Sequence, residues 1–180
     1  MKITILLASL VATLAAAAPA ARAIDPAHSR AQFSVSHIWV ERVTGTVPIV
    51  SGSVTLAEGS VIPTEVTAVL DATRLATDEP DRDRALKSPD FFDTDKFAQW
   101  TFTSTKVVPG SARAFEVDGN LTIHGVTQPE RLNVTAGGTV ANPVYHATAQ
   151  IDRHAFGMAV TRLDPTIGGT VDITLDIALR

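Results

Sequence analysis

The five histidines are the side chains best suited to acid-base or metal chemistry. They are His28, His37, His124, His146 and His154. No two of them have the short spacing of a ligand pair, and no cysteine or close acidic cluster completes a ligand set. The sequence therefore predicts no metal and no cofactor, while a metal site assembled across strands stays open.

A catalytic triad is not predicted. Asp25, His28 and Ser29 lie close along the chain, but neighbours along a strand point to opposite faces of a sheet. The chain also lacks the Gly-x-Ser-x-Gly turn that carries the nucleophile of many hydrolases. These absences disfavour a hydrolase, and we predict a binding protein that is not an enzyme. The alternative is an enzyme for a lipid-like substrate, with His37 as acid or base near Arg82 or Asp83.

A charged segment contains Arg82, Asp83, Arg84 and Lys87. A guanidinium there could hold a phosphate or amide head group with its fork of N–H donors. The competing interpretation is structural, with Arg82 and Asp83 tying a helix to a strand end, since surface ion pairs rarely carry chemistry. Asp83 has no partner carboxylate for general acid catalysis.

Composition limits the class of protein. The 180 residues are 45% hydrophobic and 19% charged, which indicates one globular domain. The formal net charge of -4 disfavours nucleic acid as a partner. The absence of cysteine excludes disulfides and thiolate chemistry.

The first 23 residues have the pattern of a secretory signal peptide. Lys2 precedes an uncharged run from Ile3 to Ala18, and Ala21-Arg22-Ala23 is a small-x-small cleavage sequence. The run is shorter than the roughly 20 residues that span a bilayer. We predict cleavage after Ala23, a domain of residues 24–180, a periplasmic protein and no stable membrane anchor.

The rest of the chain alternates apolar and polar residues, as half-buried strands do. Turn residues such as glycine and proline separate the alternating segments. Short connections favour antiparallel neighbours, and eight such strands form two packed sheets or a closed barrel. The eight predicted strands are 32–37, 50–56, 66–72, 100–104, 115–123, 132–136, 145–151 and 170–179.

One insertion, residues 76–98, interrupts the strands. Asp78, Glu79 and Pro80 resemble a helix start, residues 81–87 a short helix, and Ser88-Pro89 its end. The fold class is therefore all-β, with eight antiparallel strands, in two packed sheets or an eight-stranded barrel, and a short helical insertion that could act as a lid or plug.

The predicted inner face favours a cavity. A quarter of its residues are glycine or alanine, including Gly52, Ala68, Gly119, Ala147 and Ala149. An eight-stranded barrel either is filled by its side chains or holds one small ligand, and small residues favour the ligand. A filled barrel whose loops bind a partner is the third interpretation.

His37 is the only ionisable group that we expect on the inner face. A buried histidine is costly to charge, so we expect it to be neutral and hydrogen-bonded, to Tyr145 or to a ligand head group. The aromatic residues around the insertion either seal the core or contact a ligand.

Four segments resemble the YceI-like family. They are 24–37 (IDPAHSRAQFSVSH), 82–93 (RDRALKSPDFFD), 119–127 (GNLTIHGVT) and 153–157 (RHAFG). The resemblance covers nearly all of residues 24–180, in order. It implies a lipocalin-like antiparallel barrel that binds a long apolar ligand, a polyisoprenoid or a fatty-acyl compound. Residues 38–48 and Phe97-Ala98 depart from the family pattern, both near the predicted cavity end.

We therefore predict a periplasmic protein that sequesters or carries a long-chain isoprenoid or fatty-acyl molecule. The tail is expected along the apolar stripes and the head near the insertion, and a homodimer through exposed strands stays open. The predicted ligand-binding residues are Phe33, Val35, His37, Arg82, Asp83, Phe91, Phe92, Phe97, Trp100, Phe102, Leu121, Ile123, Tyr145 and Phe156.

Overall fold

A computed structural model describes residues 18–38, 41–111, 113–158 and 164–180. These residues form ten strands and one α-helix, α1. The helix is Pro80–Lys87, and short 3₁₀ turns cover Ala72–Arg74, Arg153–Phe156 and Asp164–Thr166. The strands are β1 (Ala20–Ala23), β2 (Arg30–His37), β3 (Glu41–Thr46), β4 (Ile49–Leu56), β5 (Pro63–Asp71), β6 (Gln99–Pro109), β7 (Ala114–Ile123), β8 (Val126–Gly138), β9 (Pro143–Asp152) and β10 (Ile167–Ala178).

The ten strands form a single antiparallel sheet that curls into a half-barrel. Its order is β1-β4-β5-β6-β7-β8-β9-β10-β2-β3, so β1 and β3 are the edges. Short segments link the two ends of the sheet. Ile24 donates its N–H to Gly52 on β4 and bridges Leu179 after β10, while Val47 donates its N–H to Ala31 on β2.

The all-β class is confirmed, but the described residues form a ten-stranded half-barrel rather than the predicted eight-stranded barrel. All eight predicted strands are present, and β1 and β3 are additional. The sequence of β3 hides its alternation because Gly45 occupies an inward position beside Val43. The ring of Phe33 fills the space above Gly45, where an added Cβ would lie 2.3 Å from Cζ of that ring. An aromatic ring on a neighbouring strand thus supplies the packing that glycine lacks.

Only the last six residues of the predicted signal segment, 18–23, are among the described residues. Residues 1–17 lie outside the described residues. We expected Ala20–Ala23 to lie outside the fold. They form β1 instead, which pairs antiparallel with β4 from Ala23 opposite Ser53 to Ala20 opposite Leu56. Cleavage after Ala23 stays a prediction, and it would remove β1.

The helix begins and ends close to the predicted positions. The Glu79 carboxylate accepts hydrogen bonds from the backbone N–H groups of Asp81 and Arg82, which satisfies donors that lack helical partners. Pro80 occupies the first turn, where its missing N–H costs nothing. Ser88 closes the helix at its other end.

The β7–β8 hairpin turns at His124-Gly125. Both residues have positive φ, 52° and 74°, which is typical of a two-residue type I′ turn. Phe97 packs against this turn, with its ring centroid 4.9 Å from that of His124. The hairpin therefore lies at the same end of the sheet as the helical insertion, which we call the insertion end.

Candidate functional site

A cavity of about 480 Å³ lies inside the curled sheet. This volume is within the range of roughly 300–1,000 Å³ that is typical of small-molecule sites. Along β9 its lining runs from Tyr145 to Ile151, a distance of about 20 Å at roughly 3.4 Å per residue. The cavity is therefore long and narrow enough for an extended chain.

Apolar side chains make up most of the cavity wall. The inner stripe of β10 contributes Val171, Ile173, Leu175 and Ile177, as its alternation predicts. Among the described residues, the lining side chains with charged, amide or imidazole groups are Gln32, His37, Arg82, Glu130 and Arg153. Such a wall favours a mostly hydrocarbon ligand that has few polar groups.

Part of the predicted small-residue lining serves packing rather than the cavity. Ala31, Ala68, Ala147 and Ala149 line the cavity. Gly119 instead lies beneath the ring of Phe102, since a Cβ there would meet Cζ of that ring at 2.3 Å. Glycine on the inner face thus makes room for an aromatic ring on the next strand, which sequence alone does not distinguish from room for a ligand.

Eleven of the fourteen predicted ligand-binding residues line the cavity, and their contact with a ligand stays a prediction. Asp83, Phe97 and Phe156 are absent from the lining. Phe97 contacts the β7–β8 turn, and Phe156 is fully buried in the core. The eleven are Phe33, Val35, His37, Arg82, Phe91, Phe92, Trp100, Phe102, Leu121, Ile123 and Tyr145.

His37 differs from the buried neutral histidine that we expected. Its side chain is 35% exposed, and Nδ1 lies 3.8 Å from a carboxylate oxygen of Glu41 across the β2–β3 hairpin. Tyr145, the expected partner, donates its hydroxyl to the carbonyl of Val61 at 3.0 Å. Burial raises the pKa of Tyr145 to about 12. His37 pairs with Ile167 at the start of β10 and Tyr145 with Ile177 near its end, so the two side chains lie at opposite ends of the cavity.

Arg82 and Asp83 are joined through Thr77, a residue that is only 4% exposed. The Asp83 carboxylate accepts hydrogen bonds from the N–H of Thr77 at 2.7 Å and from its hydroxyl at 2.5 Å. Arg82 donates to the Thr77 hydroxyl and to its carbonyl, each at 2.8 Å. These bonds attach α1 to the segment before it, so Asp83 has the structural role that was the competing interpretation. Arg82 shares that role and also lines the cavity.

The alternative of an enzyme with His37 as acid or base near Arg82 or Asp83 stays a prediction. His37 lies beside Glu41, whereas Asp83 is bonded to Thr77. Three exposed histidines each pair through Nδ1 with an aspartate carboxylate. These pairs are His28 with Asp25, His146 with Asp176 and His154 with Asp152.

Arg153 is a buried cation that fixes the chain near the insertion end. Its side chain donates to the carbonyls of Gly168 at 2.9 Å, Met158 at 2.5 Å and Ile167 at 3.1 Å. These bonds hold the 3₁₀ turn Arg153–Phe156 against the start of β10. The adjacent Asp152 accepts the backbone N–H of His154, which lowers the pKa of that aspartate.

The expectation that His37 is the only ionisable inward group is wrong. Arg82, Glu130, Tyr145 and Arg153 also line the cavity. Glu130 was missed because the predicted strand began at Leu132. Continuing the same alternation two residues back places Glu130 on the inner face, so the period itself carries the signal.

Aromatic rings from the insertion and from β6 meet at one end of the cavity. The ring centroids of Phe92 and Trp100 lie 4.8 Å apart with planes tilted by 53°. Phe91 and Leu86 join them in the lining. The insertion thus covers part of the cavity, as a lid would.

No helix within the described ranges is both long and apolar enough to cross a bilayer.

The chain belongs to the YceI-like family, whose domain model matches residues 23–179. It is 34% identical over 117 residues to a UPF0312 protein of Vibrio parahaemolyticus, a match that covers 65% of this chain and 62% of the Vibrio protein. It is 36% identical over 138 residues to a UPF0312 protein of Shewanella baltica, covering 76% of this chain and 72% of that protein.

Solved structures share the fold at low sequence identity. The crystal structure of Burkholderia cenocepacia BcnA matches with a TM-score of 0.79 at 18% identity, covering 86% of this chain and 98% of that one. A polyisoprenoid binding domain from Saccharophagus degradans, implicated in plant cell wall breakdown, matches with a TM-score of 0.67 at 16% identity, covering 91% and 99%. The predicted family resemblance is confirmed.

Proposed function

We propose that the protein binds a long-chain amphiphile, of the polyisoprenoid or fatty-acyl kind, inside the curled sheet and thereby sequesters or carries it. The observation that carries this proposal is the cavity of about 480 Å³ with its long apolar wall. An empty apolar void forfeits contacts on every side, so an apolar occupant would stabilise the fold.

Tail burial supplies the driving force in this proposal. Each methylene transferred from water to the apolar wall contributes about 0.8 kcal/mol, reduced by the entropy lost in ordering a flexible chain. The half of the cavity far from the insertion is lined by residues such as Val117, Val134, Ala147 and Leu175. We place the tail there.

The polar end of the ligand is placed toward the insertion. His37, Arg82, Glu130 and Arg153 lie in that half of the lining, where polar groups can orient a head group. The solved Saccharophagus degradans domain is described as polyisoprenoid-binding, and its shared fold supports a ligand of this class. An exported, periplasmic protein is the setting that the signal-like segment supports.

Native mass spectrometry tests the proposal. The full chain is produced with its own leader, and the exported protein is sprayed under conditions that preserve lipid complexes. Bound material is then extracted into organic solvent, and its mass is determined by mass spectrometry. A stoichiometric adduct with an aliphatic or isoprenoid tail is expected, on a polypeptide whose mass corresponds to residues 24–180.

A reconstitution experiment provides the control. Protein stripped of lipid by refolding is incubated with the same organic extract and weighed again. Recovery of the same adduct supports reversible binding. Protein that stays bare before and after incubation would overturn the proposed function, and new masses in the extract would instead support turnover of a lipid-like substrate.

A further inference from the structure

Glu130 is a carboxylate on the inner face of β8. It pairs with Gly119 of β7 and precedes Leu132 and Val134 on the same face of β8. All three β8 residues line the cavity. Among the described lining residues, Glu130 is the only one with a carboxylate.

The protein leaves this carboxylate without a partner among the described residues. The two arginines of the lining are bonded elsewhere, Arg82 to Thr77 and Arg153 to backbone carbonyls. Burial raises the pKa of Glu130, since it disfavours the charged form. A group that is desolvated without a hydrogen bond is costly unless a ligand supplies that bond.

The sheet opens beside Glu130. Pairing between β8 and β9 stops at Asn133↔Thr148, whereas β9 stays paired with β10 as far as Asp152. Pro129 keeps this ladder from resuming closer to the insertion end. Opposed residues of an antiparallel pair are alternately hydrogen-bonded and not hydrogen-bonded. Counted from the hairpin turn, the pair Asn120↔Pro129 is one that is not hydrogen-bonded. The nitrogen of Pro129 therefore faces β9 and not β7. Proline has no N–H to donate there, and an antiparallel ladder cannot continue.

We infer that Glu130 determines ligand specificity by accepting a hydrogen bond from a donor group on the ligand, and that it favours a long-chain amine. This inference rests on the proposed function and adds the chemical class of the polar group. A charged donor forms the stronger bond with a carboxylate, so an alkylamine should bind better than the alcohol of the same length. A fatty acid would bring a second carboxylate to the same place and should bind worst.

Other titratable or charged groups face the same cavity and must be considered in a pH profile. The inner residues of β7 are Phe115, Val117, Gly119, Leu121 and Ile123, none of which titrates. The remaining groups are Tyr145 on β9, Arg153 on the 3₁₀ turn, Arg82 on α1 and His37 on β2. Because His37 is the imidazole among these groups, its variant His37→Gln is needed as a reference.

The test uses lipid-stripped full-length protein and three ligands with the same tail, dodecylamine, dodecanol and dodecanoate. Affinities are measured by displacement of a fluorescent apolar probe, in the parent protein and in Glu130→Gln. We expect Glu130→Gln to weaken dodecylamine by about tenfold to a hundredfold, the range of a hydrogen bond to a charged group. Dodecanol should change little, and dodecanoate should bind more tightly. Glu65→Gln removes an equivalent carboxylate from the exposed outer face and should change none of the three.

The pH dependence separates a direct role from a general charge effect. Dodecylamine binding by the parent and by His37→Gln should weaken as pH falls and Glu130 becomes protonated, whereas Glu130→Gln should show no such decline. If Glu130→Gln leaves the preference among the three ligands unchanged, Glu130 has no role in specificity, although the proposed function stands. If none of the three binds the parent protein, both proposals fail.

Discussion

A bulky residue on the tail-binding wall should shorten the ligand that the cavity prefers. Ala147 is only 4% exposed and lies on β9 between Tyr145 and Ala149, all three in the lining. Ala147→Phe places six additional carbons in the space proposed for the tail. At about 0.8 kcal/mol for each displaced methylene, the longest tails should lose up to about 5 kcal/mol. Tails about six carbons shorter should lose little.

The assay is a chain-length series. Affinities of saturated primary alcohols from about 8 to about 16 carbons, a range that spans several methylene increments, are measured by probe displacement. In the parent protein affinity should rise with length, and in Ala147→Phe the rise should stop about six carbons earlier. Circular dichroism and thermal melting establish that the variant is folded. Ala68→Leu, on the β5 wall of the same cavity, adds three carbons and should shift the profile by about half as much.

The matched control is Thr148→Phe. Thr148 is the next residue of β9 and is exposed on the outer face, so its ring should leave the chain-length profile unchanged. Tail binding in this cavity is contradicted if folded Ala147→Phe and Ala68→Leu both keep the parent profile. That result would mean that the tail does not occupy this cavity.

Three further substitutions test the contacts that shape the cavity. Burial raises the pKa of Tyr145 to about 12, so as pH rises this hydroxyl ionises first in the unfolded chain. The free energy of unfolding should therefore fall between about pH 10 and about pH 12. Urea unfolding across this range should show a smaller fall for Tyr145→Phe. Thr77→Val leaves two charged α1 side chains without their shared hydroxyl. We expect a loss of about 1–3 kcal/mol in unfolding free energy and faster ligand release in stopped-flow measurements. An unchanged release rate would exclude α1 as a lid. Gly125→Ala requires a side chain at φ 74° with its Cβ 2.4 Å from the ring of Phe97; thermal melting should show a loss of more than about 1 kcal/mol, and an unaltered melting temperature would contradict this packing.

The apolar cavity wall and the outer charge network occupy opposite faces of the same strands. On the outside, Arg131 of β8 contacts Asp118 and Glu116 of β7, which raises the pKa of that arginine. Arg42 of β3 likewise contacts Asp172 of β10. Such cross-strand pairs help to set the register that directs the alternate residues inward.

Local patterns were sufficient for most of the secondary structure and for much of the wall. The period of two assigns the inward residues of β7, β9 and β10, because successive side chains of a strand point to opposite faces. The helix was also predictable, since Glu79, Pro80 and Ser88 act on backbone groups within a few residues. The edge strand β1 was missed because its residues were assigned to the signal peptide. Its sequence, Ala-Ala-Arg-Ala, has little strand propensity and relies on pairing with β4.

The all-β class, the faces of the strands, the capped helix and the family resemblance could all be read from residues close together in the chain or from recognisable segments. The curl of the sheet, the partners of the inward side chains and the opening in the wall became visible only in three dimensions. Arg82 and Glu130 are both charged residues near apolar segments, yet Thr77 binds the first and no described residue binds the second. Such pairing depends on distances between strands far apart in sequence, which no local pattern encodes.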